Sequence, residues 1–247
     1  MAERLKLRRR RGTGLLRYVP VTVLLFALAM LTGLCGLFRV TDVVVNGAGV
    51  YTETEVAEAS GISRGDNLLF LNTAKADRRI MDKLAYVSDV HVDVMYPSTV
   101  EIDLTESVAI ASIMSGGSYW IIDTDGKILE ETNLAGAEHV INVTGVSIFQ
   151  PEVGKKIQTD NELVLQYLTE LLRGFRARGI QDKVTELAVN SIANISFDFD
   201  GRFTVNYGEG GGTAKLDRLV EVIGRLEEDA RGTLEVAADG SIHYIPV

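Results

Sequence analysis

An α+β architecture of two modules behind one membrane helix is written in these 247 residues, and three observations carry that reading. An uncharged apolar run occupies positions 19–38. A β-α-α-β-β pattern follows over roughly 67 residues and differs from the βαβαβ order of a parallel sheet. Beyond it, short strands marked by Asp-Gly turns alternate with two amphipathic helices, which predicts a mixed β-sheet with two helices packed on it.

The apolar run, from Val19 through Leu25 and Leu31 to Phe38, is long enough as a helix to cross a hydrocarbon core of about 30 Å. Residues 1–18 hold seven Lys/Arg against one acid, Glu3, whereas the remainder holds 18 Lys/Arg against 33 Asp/Glu. The positive-inside tendency therefore places the basic N-terminus in the cytoplasm and the acidic bulk outside. A cleaved signal peptide needs a shorter apolar core and a small-x-small site, so the expectation is an uncleaved anchor. Cys35, the only cysteine, follows Leu34 and not a small residue, which argues against a lipidated terminus. With no second cysteine, the external part must be held by its core.

After the span, Val40 to Val45 reads as a strand closed by Asn46-Gly47. Thr52 and Glu55 have capping-box spacing and Gly61 marks a stop, which predicts a helix over 53–60. Gly65-Asp66-Asn67 is a turn, and a second helix is expected over 73–84. Val90 to Val94 and Val100 to Leu104 alternate strictly around Tyr96-Pro97-Ser98, the pattern of a hairpin with one dry face.

From Val108 onward, Tyr119–Ile122 and Ile128–Leu129 flank Asp125-Gly126, and 195–199 and 203–207 flank Asp200-Gly201, each a tight hairpin signal. Thr159 with Glu162 is expected to cap a helix whose Val164, Leu168, Leu171 and Phe175 share a face. A second helix from about Lys215 carries Leu216, Leu219, Val220, Ile223 and Leu226 on one stripe. The last strands are expected over 233–237 and, past Asp239-Gly240, over Ser241, Ile242, His243, Tyr244 and Ile245.

Chemistry-bearing residues are sparse. His91, His139 and His243, each placed in a strand, lack second ligands at metal-site spacing, and no Gly-x-Ser-x-Gly elbow occurs. Asp123-Thr124-Asp125-Gly126 fails as a calcium loop, because aligning its glycine puts Ile121 and Thr132 where acids are required. The glycines at 208–212 precede a helix but lack the Lys-Ser/Thr pair of a phosphate loop. The acidic external part argues against nucleic acid. No catalytic residue, cofactor, metal or small-molecule substrate is expected. A cell-wall enzyme on the same anchor is the alternative, and it would need a pocket with convergent acids. A POTRA module of a translocating barrel would need amphipathic membrane strands that are not seen.

The order of these features resembles the FtsQ/DivIB family of bacterial cell-division proteins. Val43-x-Val45-Asn46-Gly47, Gly65-Asp66-Asn67-Leu68, Val87-x-x-Val90-x-Val92, Tyr96-Pro97-Ser98-Thr99-Val100-x-Ile102, and Glu106 with Ala109 carry the likeness in the first module. Trp120 to Ile128 and Lys215-Leu216 carry it in the second. Ser107 stands where the family usually has a basic residue, Asn142 to Gly145 where it has a proline before a glycine strand, and Glu235 where it has an aspartate. The resemblance implies a cytoplasmic tail over 1–18, the span over 19–38, a POTRA domain over 39–107 and an extracytoplasmic β domain over 108–247. It further implies a non-enzymatic septal scaffold that recruits small single-span coiled-coil proteins of the FtsB/DivIC and FtsL type by strand addition at 241–245. Proline at His243 is expected to block that edge. The same residues also fit an ordinary edge strand shielded by the C-terminus.

Overall fold

The computed structural model describes residues 18–208 and 213–247, without the side chains of Leu31, Thr32, Leu34, Cys35 and Thr213. The basic tail over 1–17, the side chain of Leu31 in the expected span, and positions 209–212 of the glycine cluster lie outside the described residues.

Helix α1 spans Val19–Leu37, 19 residues, and its described side chains are exposed. Among the described residues, no helix is long and apolar enough to cross a membrane. The sequence places Phe38 at the end of the span, and here the structure corrects it. Phe38 leaves the helix because its carbonyl accepts the Leu68 amide at 2.9 Å. Its ring meets Tyr96 edge-on, with centroids 5.5 Å apart. Phe38 therefore packs on the first module.

The first module has strands β1 (Asp42–Asn46), β2 (Val87–Met95) and β3 (Thr99–Glu106), and helices α2 (Glu53–Ser60) and α3 (Thr73–Lys83). The sheet order is β1-β3-β2, with β1 parallel to β3 and β2 antiparallel to it. The helix boundaries follow the local chemistry. Thr52 accepts the Glu55 amide in a complete capping box, and Gly61 ends α2 in the left-handed conformation at φ 69°. Asn72 caps α3 by accepting the Lys75 amide at 2.9 Å. The dry face expected of the hairpin is present: Val90, Val92, Val100, Ile102 and Leu104 are buried together with Val56 and Ile80 from the helices.

The second module adds β4 (Ala111–Ser115), β5 (Ser118–Ile122), β6 (Ile128–Thr132), α4 (Leu134–Ala137), β7 (Ile141–Thr144), α5 (Glu162–Ala177), β8 (Val184–Ser191), β9 (Asn194–Phe199), β10 (Phe203–Asn206), α6 (Thr213–Arg225), β11 (Gly232–Val236) and β12 (Ile242–Pro246). They form one nine-stranded sheet in the order β12-β11-β10-β9-β8-β7-β4-β5-β6. The expected stripe of α5, Val164, Leu168, Leu171 and Phe175, is buried, and Leu216 and Leu219 of α6 join the same core.

Several expectations are corrected. The α5 cap is Asn161, which accepts the amides of Leu163 and Val164, while Thr159 supports Asn161 from outside the helix. A residue whose own side chain reaches the second and third helical amides wins the cap position. His139 lies in the turn after α4, not in a strand. The turn at Asp125-Gly126 is wider than a two-residue hairpin, because the Asp123 side chain accepts the amides of Asp125 and Lys127 at 2.8 and 2.9 Å. Strand β8, at the middle of the sheet, has no counterpart in the sequence reading.

Candidate functional site

The two edges of the large sheet differ. At β6, the Ile128 amide donates to the Lys155 carbonyl and the Gly154 amide donates to the Ile128 carbonyl, both at 2.8 Å, so the start of that edge is covered by the loop over 154–157. At the other end β12 pairs only with β11, antiparallel, setting Ile242 opposite Val236, His243 opposite Glu235, Tyr244 opposite Leu234 and Ile245 opposite Thr233. Its far side carries no strand among the described residues.

The turn before β12 is built to deliver it. The Asp239 carboxylate accepts the Ser241 amide at 2.9 Å and the Ser241 hydroxyl at 2.7 Å. These bonds, the amide first, hold the Asp239 carboxyl below its ordinary range. An Arg218 Nη1 hydrogen bond to the Gly240 carbonyl, 3.1 Å, ties the turn to α6. The Ala237 amide donates to the Ser241 carbonyl at 2.9 Å, and beyond the strand the Val247 amide donates to the Arg231 carbonyl at 3.3 Å.

Those two bonds fix which main-chain groups are free. Hydrogen-bonded and non-hydrogen-bonded pairs alternate along an antiparallel ladder. The Ser241 carbonyl, both main-chain groups of His243 and Ile245, and the Val247 amide therefore aim inward at the β11 side. Ile242 and Tyr244 aim their N–H and C=O outward, and Pro246 offers an outward C=O without a donor. The five residues expected at the site thus divide. Proline at His243 would break the internal ladder, not the open edge, so it is the wrong probe. The signal that could have revealed this was the Asp239-Gly240 turn itself, since pairing Ala237 with Ser241 sets the parity of every later residue.

Side chains divide by face as well. Ile242 and Tyr244 are half-buried against the main core. Tyr244 stacks edge-on against Phe203, centroids 6.2 Å apart, and its hydroxyl donates to the Arg231 carbonyl at 2.9 Å. His243 and Ile245 are exposed on the opposite face, Ile245 by 48%. A charge at Ile242 or Tyr244 would thus disturb packing. Ile245 leaves an apolar side chain in water on that face. A cleft of about 540 Å³ lined by Arg225, Leu226, Arg231, Tyr244 and Val247 adjoins the strand.

Comparison with known proteins agrees with the topology. Residues 38–107 match the family model described as POTRA domain, FtsQ-type. Residues 111–245, more than half the chain, match the model for the cell division protein FtsQ/DivIB C-terminal region. The chain is 26% identical over 211 residues to cell division protein DivIB of Clostridium acetobutylicum, covering 84% of this chain and 82% of that one. It is 26% identical over 202 residues to FtsQ of Mycobacteroides abscessus, covering 82% of this chain and 60% of that protein. A third relative, FtsQ of Bradyrhizobium diazoefficiens, is 37% identical over 93 residues, 38% of this chain and 27% of its own. The chain belongs to the FtsQ/DivIB family of cell-division proteins.

Proposed function

We propose that this protein is a non-enzymatic, membrane-anchored scaffold of the division machinery, and that its open β12 edge takes up a strand from a small single-span partner of the FtsB/DivIC or FtsL type. In this reading α1 anchors the chain with residues 1–18 in the cytoplasm, a POTRA domain over 39–107 and a β domain over 108–247 outside. The apolar, outward-facing surface of α1 and the basic sequence before it support the anchor. The observation that carries the docking role is the asymmetry of the large sheet, in which the β6 edge is covered at its start by the loop over 154–157 and the β12 edge presents unpaired amides at Ile242 and Tyr244. Strand addition takes its affinity from such main-chain groups and its register from alternate side chains.

The test follows from the alternation. Ile242→Pro removes one outward donor and leaves the inward ladder of His243 and Ile245 in place. Binding of the exported segment of an FtsB/DivIC-type protein from the same cell, measured by calorimetry, is expected to weaken about tenfold or more, the loss of one hydrogen bond worth roughly 1–1.5 kcal/mol. Ile245→Glu is expected to weaken it too. Unchanged affinity in an Ile242→Pro protein whose circular dichroism matches the parent removes β12 as the docking edge.

A further inference from the structure

Two apolar loop tips of the POTRA domain flank the point where the chain leaves α1. The first is the single helical turn Leu68–Phe70, where Leu68 is buried but Leu69 is 44% and Phe70 is 79% exposed. The second is the hairpin between β2 and β3, where Met95 is 52% and Tyr96 is 62% exposed. Both are fastened to the residues that follow the helix. Phe38 bonds to Leu68 through its carbonyl, the Val40 amide donates to the Asp66 carbonyl at 2.8 Å, the Gly65 amide donates back to the Val40 carbonyl at 2.8 Å, and the Thr41 amide donates to the Ser98 carbonyl at 2.8 Å. Arg39 pairs with Asn67 in an isolated bridge, and Phe38 stacks on Tyr96.

Phe70 lies within about 7 Å of backbone of Leu68, whose amide Phe38 accepts, and Tyr96 touches Phe38 directly, so both tips adjoin the residue that follows α1. Large side chains left in water so close to one another are unusual for a packed module, whose exposed apolar residues are normally scattered. Arg39, Arg64 and Lys75 are exposed around them, against Asp42 and Asp66.

We infer that the Leu69-Phe70 and Met95-Tyr96 tips are a membrane-contact surface that seats the base of the POTRA domain in the lipid interface. The occupant is the bilayer because the tips are tied, through main-chain hydrogen bonds, to the residues that directly follow the helix proposed to enter it. A phenol and a phenyl ring at such a level suit the headgroup boundary, where aromatic residues are enriched. The consequence is orientational: a domain held at two tips beside its tether cannot swing freely, so the large sheet is carried at a set angle to the membrane. This inference rests on the anchored reading of α1 and goes beyond it.

Site-directed spin labelling of the full chain tests it. In a Cys35→Ser background, single cysteines at Leu25, Phe70, Tyr96 and Met114 are labelled and reconstituted into phosphatidylethanolamine/phosphatidylglycerol vesicles, and accessibility to oxygen and to a water-soluble nickel chelate is compared. Labels at 70 and 96 are expected to favour oxygen severalfold over the label at 114, an exposed position on β4, and the label at 25 more strongly still. Labels at 70 and 96 that match 114 while 25 is lipid-buried overturn the membrane contact and leave the anchor standing. Poor access of 70 and 96 to both reagents signals protein contact and overturns it likewise. An aqueous label at 25 overturns the anchor, and the inference falls with it.

Discussion

Glu106 closes β3 with its carboxylate turned back on the loop after β1. Its Oε1 accepts the amides of Gly49 and Val50 at 3.0 Å and of Tyr51 at 3.3 Å, while Oε2 accepts Val50 at 2.8 Å. Partial burial pushes the carboxyl up, but the amides of Gly49, Val50 and Tyr51 outweigh it and hold it below its ordinary value of 4.5. A carboxylate lowered on folding adds stability above its unfolded value and loses it as pH falls through the folded one. Glu106→Gln, which keeps one acceptor oxygen but no charge, is expected to cost about 1–2 kcal/mol at neutral pH. Urea titrations at pH 7 and at pH 3 check the sign, since the gap between parent and variant should shrink in acid. An equal gap at both would show that shape, not charge, matters at this position. The neighbouring Ser107 is buried beside Asp123. Its hydroxyl donates to Asp123 Oδ2 at 2.8 Å, a neutral donor serving a carboxylate already held by two amides.

At the scale of the element, β12 depends on a glycine in its neighbour. Gly232 opens β11 at φ +154°, and a Cβ there would run into the Ile245 carbonyl oxygen and lie 3.0 Å from Pro246 Cα. Both obstacles are main chain, so they cannot rotate aside. Gly232→Ala is expected to push the C-terminal half of β12 off the sheet at a cost of about 2 kcal/mol or more. Amide exchange at His243, Ile245 and Val247, the amides that face the β11 side, should accelerate while β8 and β9 stay protected, and partner binding should fall with it. Unchanged exchange at these three amides would mean that the strand shifts without fraying. A different constraint joins the two long helices. Arg178 Nε on the far end of α5 donates to Asp217 of α6 at 2.7 Å, and that bond is the main reason the Asp217 carboxyl lies below its ordinary range.

The whole molecule turns on the junction between its two sheets. The Lys127 ammonium donates to the Val87 carbonyl at 2.7 Å, reaching from the second module into the first. Burial lowers its pKa, against the pull of Asp123. The Ser107 amide donates to the Tyr86 carbonyl at 2.6 Å. The Tyr86 ring packs with Ile121, Leu129 and Ala137 in a small core of its own, where burial first, and Glu130 after it, push its phenol up to about 12. Asp123 is 5% exposed and gathers Ser107, Asp125 and Lys127 around one carboxylate. Asp123→Ala is expected to cost about 2 kcal/mol or more by leaving buried donors unmet, and to split thermal unfolding into two calorimetric transitions where the parent has one. A single transition at lower temperature would show that the hydrophobic contact around Tyr86 suffices to couple the modules.

Patterns shorter than about fifteen residues were legible in the chain. The capping box at Thr52 and Glu55, the alternating hairpin of the first module and the buried stripes of α5 and α6 rest on propensity and periodicity, which neighbours in sequence supply. The family resemblance came from the order of such patterns. Strand β8 was hidden because one of its neighbours, β7, pairs with it from more than forty residues earlier in the chain, and because register shifts against β9 break the alternation that would announce a strand. The end of α1 was missed because Phe38 is apolar enough for a membrane, and its release from the helix is decided by Leu68 and Tyr96, thirty and more residues away. At the open β12 edge, the residues of the last strand were readable but the direction of their amides was not. That direction is fixed by pairing with β11, and covering the opposite edge of the sheet takes the loop over 154–157; both are contacts that exist only once the sheet is assembled.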